Sequence, residues 1–254
     1  MTSTRRHLVV VSFYAPRPTV PLVRLLTAVR GTPAGAEFDV ALVINRDNGA
    51  GAALVDWTDQ VHRLADVVLE RPNTGMNIGA WDFGWRTLKA YDGYLFLQDD
   101  CILKATDWLN AFVKAAADPS IGLVGESWNS GWDRPWHVMR KSVAKHALRE
   151  HLINNRPANR VDLYLDFMQR HGVNPGDGGG HLRALSWFAR RETLLAINGF
   201  LHGANYGECI AAEIAATKQV QAIGLRAVQL AGQPFACFGH ADWAQLPDGR
   251  WQHV

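Results

Sequence analysis

The chain has 254 residues, 48% of them hydrophobic, which suits one sizeable core and argues against disorder. Its 26 Lys and Arg against 24 Asp and Glu leave a formal charge of +2, so nothing in the balance points to nucleic acid. No apolar stretch approaches a membrane span, and three cysteines without paired spacing argue against a disulfide framework.

The apolar run behind Arg5 and Arg6 is too short for a signal peptide. The expected location is therefore cytoplasmic, compatible with peripheral attachment to a membrane. Leu8–Tyr14 is a β-branched and aromatic run, predicting a buried strand. Pro16, Pro18 and Pro21 break the chain, and Leu22–Val29 then has helical spacing. A second strand is predicted over Phe38–Ile44, stopped by the turn signal Asn45–Gly49. Ala52–Ala65 places Leu54, Trp57, Val61 and Leu64 on one helical face. Asp66–Glu70 is read as a short strand, Asn73–Asn77 as a loop and Gly79–Tyr91 as a helix. Gly93–Gln98 is a fourth strand ending at Asp99-Asp100. Thr106–Ala117 comes next as a helix with Thr106 as N-cap, and Ile121–Gly125 as a fifth strand. Alternation at this pitch predicts an α/β fold with a mostly parallel sheet flanked by helices. Ligands of such sheets bind beyond the carboxyl ends of the strands. The loops at Ser12–Arg17, Asn45–Gly49, Asn73–Asn77 and Asp99–Asp100 should then share one edge.

The second half is less regular. Ser127–Pro135 is a Trp, Gly and Asn-rich loop, and Trp136–Arg170 reads as helical with a break near Asn154–Arg160. Asn174–Gly180 is Gly-rich and must be a loop. Arg183–Arg190 reads as a strand, Glu192–Ile197 as a short helix, and Tyr206–Ile223 as a longer helix closed by Gly224. Arg226–Leu230 is a late strand. With no internal repeat, one domain spans 1–254, carrying a helical insertion in its second half.

The chemistry concentrates at Gln98-Asp99-Asp100-Cys101. Magnesium and manganese take hard oxygen ligands, commonly one or two carboxylates plus substrate phosphates. A carboxylate at a strand end suits that task. Equally, Asp is an ordinary residue for ending a strand and capping the next element.

Gly93–Cys101 resembles the strand and DxD-type metal motif of the GT-A glycosyltransferases, above all the large inverting family two. Asn77–Gly84 stands where that family has an Asn and Gly-rich loop running into a helix. Val9–Tyr14 is similar to its nucleotide-contacting first strand, Arg190–Phe200 to its helix and Gly-Phe turn, and Phe238-Gly239-His240 to a C-terminal segment whose His ligates the metal. The resemblance spans the chain apart from residues 128–180. It implies a Rossmann-like GT-A domain with a nucleotide-sugar-binding half (1–126) and an acceptor-binding half (127–254). It also implies a Mn2+ or Mg2+ cofactor, a nucleotide-diphosphate sugar donor, and an acceptor of undefined kind: a glycan, a lipid-linked glycan or a small molecule.

By the same resemblance Asp100 and His240 hold the metal. Ser12, Phe13, Tyr14, Asp47, Asn77, Gly79, Asp82 and Asp99 contact the donor. Gln98 departs from the motif, standing where its first carboxylate belongs. The family's base is a carboxylate ahead of a helix-ending Gly. Counting back from Gly224 gives Glu213, with Glu208 next in order. Glu208 also complements the helix N-terminus, and Glu213 also fits a surface position on an amphipathic helix. An isolated His such as His240 is commonly structural. Asp177 and His181 fit either a sugar contact or a solvated loop. Trp128, Trp132 and Trp136 fit either sugar stacking or burial of their own loop.

Three other readings compete. A non-catalytic nucleotide-sugar-binding relative is suggested by Gln98. A zinc hydrolase lacks CxxC or HExxH spacing. A dinucleotide oxidoreductase lacks glycines after the first strand, where Ser12–Pro16 stands instead.

Overall fold

The computed structural model describes residues 6–47, 58–142, 148–153, 156–240, 243–245 and 251–253. The first half runs β1 (His7–Tyr14), α1 (Val20–Gly31), β2 (Phe38–Arg46), α2 (Thr58–Leu64), β3 (Val67–Pro72), α3 (Met76–Thr87) and β4 (Gly93–Gln98). It continues through β5 (Cys101–Leu103), α4 (Trp108–Ala115) and β6 (Ile121–Gly125). The second half holds α5 (Trp136–Ser142), β7 (Leu148–Ile153), β8 (Arg156–Ala158), α6 (Arg160–Arg170), β9 (Ser186–Arg190), α7 (Arg191–Ala196), α8 (Tyr206–Ala222) and β10 (Arg226–Gln229). The chain closes with β11 (Phe238–His240), β12 (Trp243–Gln245) and β13 (Trp251–His253).

Seven strands form one sheet in the order β10-β6-β9-β4-β1-β2-β3. All neighbours are parallel except β9, which runs antiparallel to both β4 and β6. Side chains alternate across β1 with the strand period of two. Leu8 and Val10 pack with Trp81, Phe96, Trp187 and the Ala-rich face of α8. Val9, Val11 and Phe13 pack on the other face with Leu22, Leu25, Trp108 and Phe112. A central strand covered on both sides reads as an unbroken apolar run, which is why LVVVSFY was legible as buried.

The register aligns the strand ends. Ser12 lies beside Gln98 of β4 and Val43 of β2, and Tyr14 lies beside Asn45. The polar segments after β1, β2 and β4 therefore share one edge, as the alternation predicted.

Several expectations need correction. The helix expected from Thr106 begins at Trp108, and its N-cap is Asp107 in the left-handed region (φ 59°), with no side-chain capping bond. Trp108 sets this start because its ring is buried between Phe38 and Phe238. The helical stretch over Trp136–Arg170, expected to break near Asn154–Arg160, is two helices whose separation is wider than that break and holds an antiparallel pair, β7 and β8. Pro157 sits in register with Leu152, and a residue lacking an N–H belongs in such a two-stranded edge and not in a helix interior. The expected helix over Ala52–Ala65 is seen from Thr58 onward; residues 52–57 lie outside the described residues, as do 48–49 of the expected Asn45–Gly49 turn. Among the described residues no helix is long and apolar enough to cross a membrane.

Candidate active site

Beyond the end of β4, Asp99 and Asp100 are buried carboxylates with side chains only 3% and 9% exposed. Arg17, from the loop after β1, reaches over both: Nη1 is 3.3 Å from Asp99 Oδ1 and Nη2 is 3.0 Å from Asp100 Oδ2. On the other side of Asp100, His240 Nε2 lies 3.0 Å from Oδ1. The chain brings His240 there by pairing β11 antiparallel to β5, with His240 opposite Cys101. Burial, and then the charge of Asp100, push Asp99 up to about 6 while Arg17 pulls it down. Burial would raise Asp100 too, but His240 and Arg17 outweigh it and hold Asp100 below the usual carboxylate range.

Two ligands each about 2.1 Å from one ion, at right angles, stand about 3.0 Å apart. Asp100 Oδ1 and His240 Nε2 have that separation. Among the described residues no three His, Cys, Asp or Glu side chains form a ready-made cage. An oxygen-rich ligand would have to complete the shell.

Glu213, on α8, approaches the same edge through a short relay. The Gln98 side-chain amide donates to the Ala184 carbonyl, and the Ala184 N–H donates to Glu213 Oε1 at 2.6 Å. Among the described residues no hydrogen bond forms to Oε2. Burial pushes the Glu213 carboxyl up to about 7, against the pull of the Ala184 amide and Arg183. His181 Nε2 lies 3.9 Å from Oε1. That imidazole is buried, and burial lowers it to about 4, so it is neutral near pH 7. The Gly-rich loop is thus packed and not solvated around His181, whose Nδ1 is 2.6 Å from the Gly179 carbonyl.

Glu208 is engaged differently. Oε2 accepts from the Ala204 N–H at 2.9 Å, Oε1 pairs with Arg170 at 2.6 Å, and its own N–H is capped by Asn205. Burial alone would raise it, but the Ala204 amide and Arg170 hold it below the ordinary Glu value. This is a helix-start network.

Of the donor-contact expectations, Ser12 donates to Asn77 Oδ1 at 3.1 Å, and the Tyr14 hydroxyl donates to Asp47. These four residues lie together at the strand-end edge. Gly79, in the first turn of α3, lies so close to Thr74 that a Cβ would meet its carbonyl oxygen at 2.1 Å. Phe13 has its ring wholly in the core, so only its backbone reaches the edge. Asp82 is spent on Trp85 Nε1, Arg86 Nε and the Phe200 N–H at 2.8, 2.6 and 2.9 Å.

No family model matches the chain, and no curated protein matches it. Among solved structures, mannosyltransferase PcManGT from Pyrobaculum calidifontis, in complex with GDP-Man and Mn2+, superimposes with a TM-score of 0.52 at 18% identity, over 90% of this chain. The fold is GT-A. The chain spans only 55% of that enzyme's length. A mutant of Drosophila β-1,4-galactosyltransferase 7, in complex with manganese, UDP-Gal and xylobiose, overlaps with a TM-score of 0.44 at 11% identity, over 93% of this chain and 71% of that one.

Two residues of this GT-A edge escaped sequence reasoning. Arg17 lies inside a proline-rich loop, where nothing in the local pattern marks it. Glu126, just past β6, is buried, and its carboxylate accepts from the N–H groups of Ala236, Cys237 and Phe238 at 2.6, 2.8 and 2.8 Å. It fixes the segment that carries His240. A carboxylate ending a fully apolar strand was the available signal. The Trp-rich loop divides between burial and exposure: Trp136 donates to the Gly176 carbonyl at 2.9 Å and is buried, Trp132 packs on Tyr164, and Trp128 stays half-exposed beside Asp133. A cavity of about 620 Å³ under His7, Asp92, Phe188, Arg190 and Leu195 opens at the opposite edge of the GT-A sheet, away from the carboxylates.

Proposed function

We propose that the protein is a divalent-metal-dependent glycosyltransferase, moving a hexosyl group from a nucleotide-diphosphate donor to an acceptor hydroxyl with inversion. The observation that supports this best is the pairing of Asp100 with His240 at 3.0 Å on the strand-end edge of a GT-A sheet. Residues 1–126 would bind the donor and 127–254 the acceptor. Asp100 and His240 would hold Mn2+ or Mg2+, which supplies positive charge against the diphosphate as it leaves. Ser12, Tyr14, Asp47, Asn77 and Asp99 line the donor side. Glu213 is the base. Its Oε1 is anchored by the Ala184 N–H, which orients Oε2 to take the acceptor's proton. Burial that lifts a carboxyl to about 7 gives a base matched to neutral pH. Inversion needs only this one carboxylate beside the departing diphosphate, with no second acid.

The test is donor turnover with a panel of UDP-, GDP- and dTDP-hexoses plus Mn2+. Release of nucleoside diphosphate, abolished by a chelator, is expected. Nucleotide binding without release would favour the non-catalytic relative that Gln98 suggests. Absence of both binding and release across the whole panel would contradict the proposal.

A further inference from the structure

Arg17 sits in a turn of the loop after β1, and its long side chain is the part that reaches the carboxylates. Its N–H donates to the Tyr14 carbonyl at 2.9 Å, closing a turn, and Pro16 and Pro18 flank it. The Arg17 side chain is 45% exposed, while the side chains of the two acids it covers are almost fully buried. It contacts Asp100 through Oδ2, the oxygen facing away from His240. One cation therefore already offsets part of the charge of these two acids, of which Asp100 is the one a divalent ion would rely on.

We propose that Arg17 is a cation latch on this site. It compensates Asp99 and Asp100 while no ion is bound, and it turns to the donor's diphosphate when ion and nucleotide enter together. The inference rests on the glycosyltransferase reading above and deepens it. A divalent ion beside Asp100 repels the guanidinium, so an ion arriving alone must displace Arg17 into solvent. A diphosphate offers that guanidinium a second anionic partner whose oxygens suit its planar fork. The ion and the nucleotide then favour each other through one side chain, and the coupling is reciprocal.

The experiment measures free Mn2+ by electron paramagnetic resonance with wild type, Arg17→Gln and Arg17→Lys, each alone and with UDP or GDP. Thermal melts check that each variant is folded. Arg17→Gln should bind Mn2+ alone about ten-fold more tightly than wild type, because a like charge is gone. It should also lose most of the further gain that nucleotide brings. Arg17→Lys keeps the charge without the fork. It should bind Mn2+ alone as weakly as wild type and show a reduced nucleotide gain. If wild type takes up Mn2+ with a nucleotide while Arg17→Gln gains nothing for Mn2+ alone, the latch is wrong and the metal reading stands. If no variant takes up Mn2+ under any condition, the metal reading falls and the latch with it.

Discussion

At the scale of single residues, Glu213 and Glu208 make a controlled comparison. They lie on the same helix, and their surroundings push them in opposite directions: burial lifts Glu213 to about 7, while the Ala204 amide and Arg170 overcome burial and hold Glu208 low. Changing Glu213 to Gln keeps an oxygen for the Ala184 N–H and removes the proposed base. Transfer should fall by about 10²–10⁴-fold with nucleotide affinity retained. Glu208→Gln should keep near-native turnover and lose some stability through its weakened pair with Arg170. A Glu213→Gln enzyme with the native rate on an identified acceptor would remove Glu213 from the mechanism. The pH profile carries the same information. If Glu213 is the base it works only when ionised, so turnover should rise as pH passes through about 7. Stability should run the other way. The folded value lies above the unfolded one of about 4.3, so the stabilising contribution is whole below that lower value and is lost as pH rises through the folded one. Glu213→Gln should therefore be more stable than wild type at pH 8, by on the order of 3–4 kcal/mol, and no more stable at pH 4. Melting temperatures at the two pH values decide this.

At the scale of elements, the site depends on how β11 is held. Its ladder to β5 is only three residues long, and Glu126 supplies the acceptor for the three N–H groups leading into it. Glu126→Ala would leave those donors without their carboxylate. Buried donors that lose a partner cost about 1–3 kcal/mol each, so a loss of a few kcal/mol is expected. Mn2+ uptake in the presence of nucleotide should weaken as well, because His240 is no longer fixed beside Asp100. Unchanged uptake in the folded variant would show that Glu126 serves stability alone. The sequence foretold both ends of this device without its connection. Asp100 stood out because an apolar strand ran into it. His240 stood out only through a resemblance. That β11 would pair with β5 and put the two side chains 3.0 Å apart depends on a contact across most of the chain, which local periodicity does not encode. The β7–β8 hairpin failed in the opposite way. The expected break at Asn154–Arg160 took in Pro157 and β8, but Leu148–Ile153 has a helix-compatible pattern and its pairing as a strand was not foreseen.

At the scale of the whole molecule, the legible part was the alternation of strands and helices, because central strands buried on both faces carry continuous apolar runs. The shared edge at Ser12, Asn45 and Asp99 came from that alternation. The insertion of β9 antiparallel between β4 and β6 did not, since strand order is a property of the assembled sheet. Yet β9 matters to the site. The segment just before it brings Ala184 to Gln98 and so ties Glu213 to the strand ends. Gln98, a departure from the expected motif, acts here as the donor to that carbonyl. On the proposed reading the assembled edge offers two metal ligands, Asp100 and His240, and among the described residues no cluster of three ligating side chains. Ion and nucleotide should thus bind together and poorly apart. The decisive measurement is calorimetric titration of Mn2+ into wild type and Asp100→Ala, with and without UDP, GDP or dTDP. Wild type should bind Mn2+ weakly alone and at least ten-fold more tightly with one of the nucleotides, on the order of 1.4 kcal/mol of coupling, and Asp100→Ala should lose that gain while remaining folded. Equal Mn2+ affinity with and without every nucleotide, or an unchanged gain in Asp100→Ala, would contradict the assignment of this edge as a metal and nucleotide site.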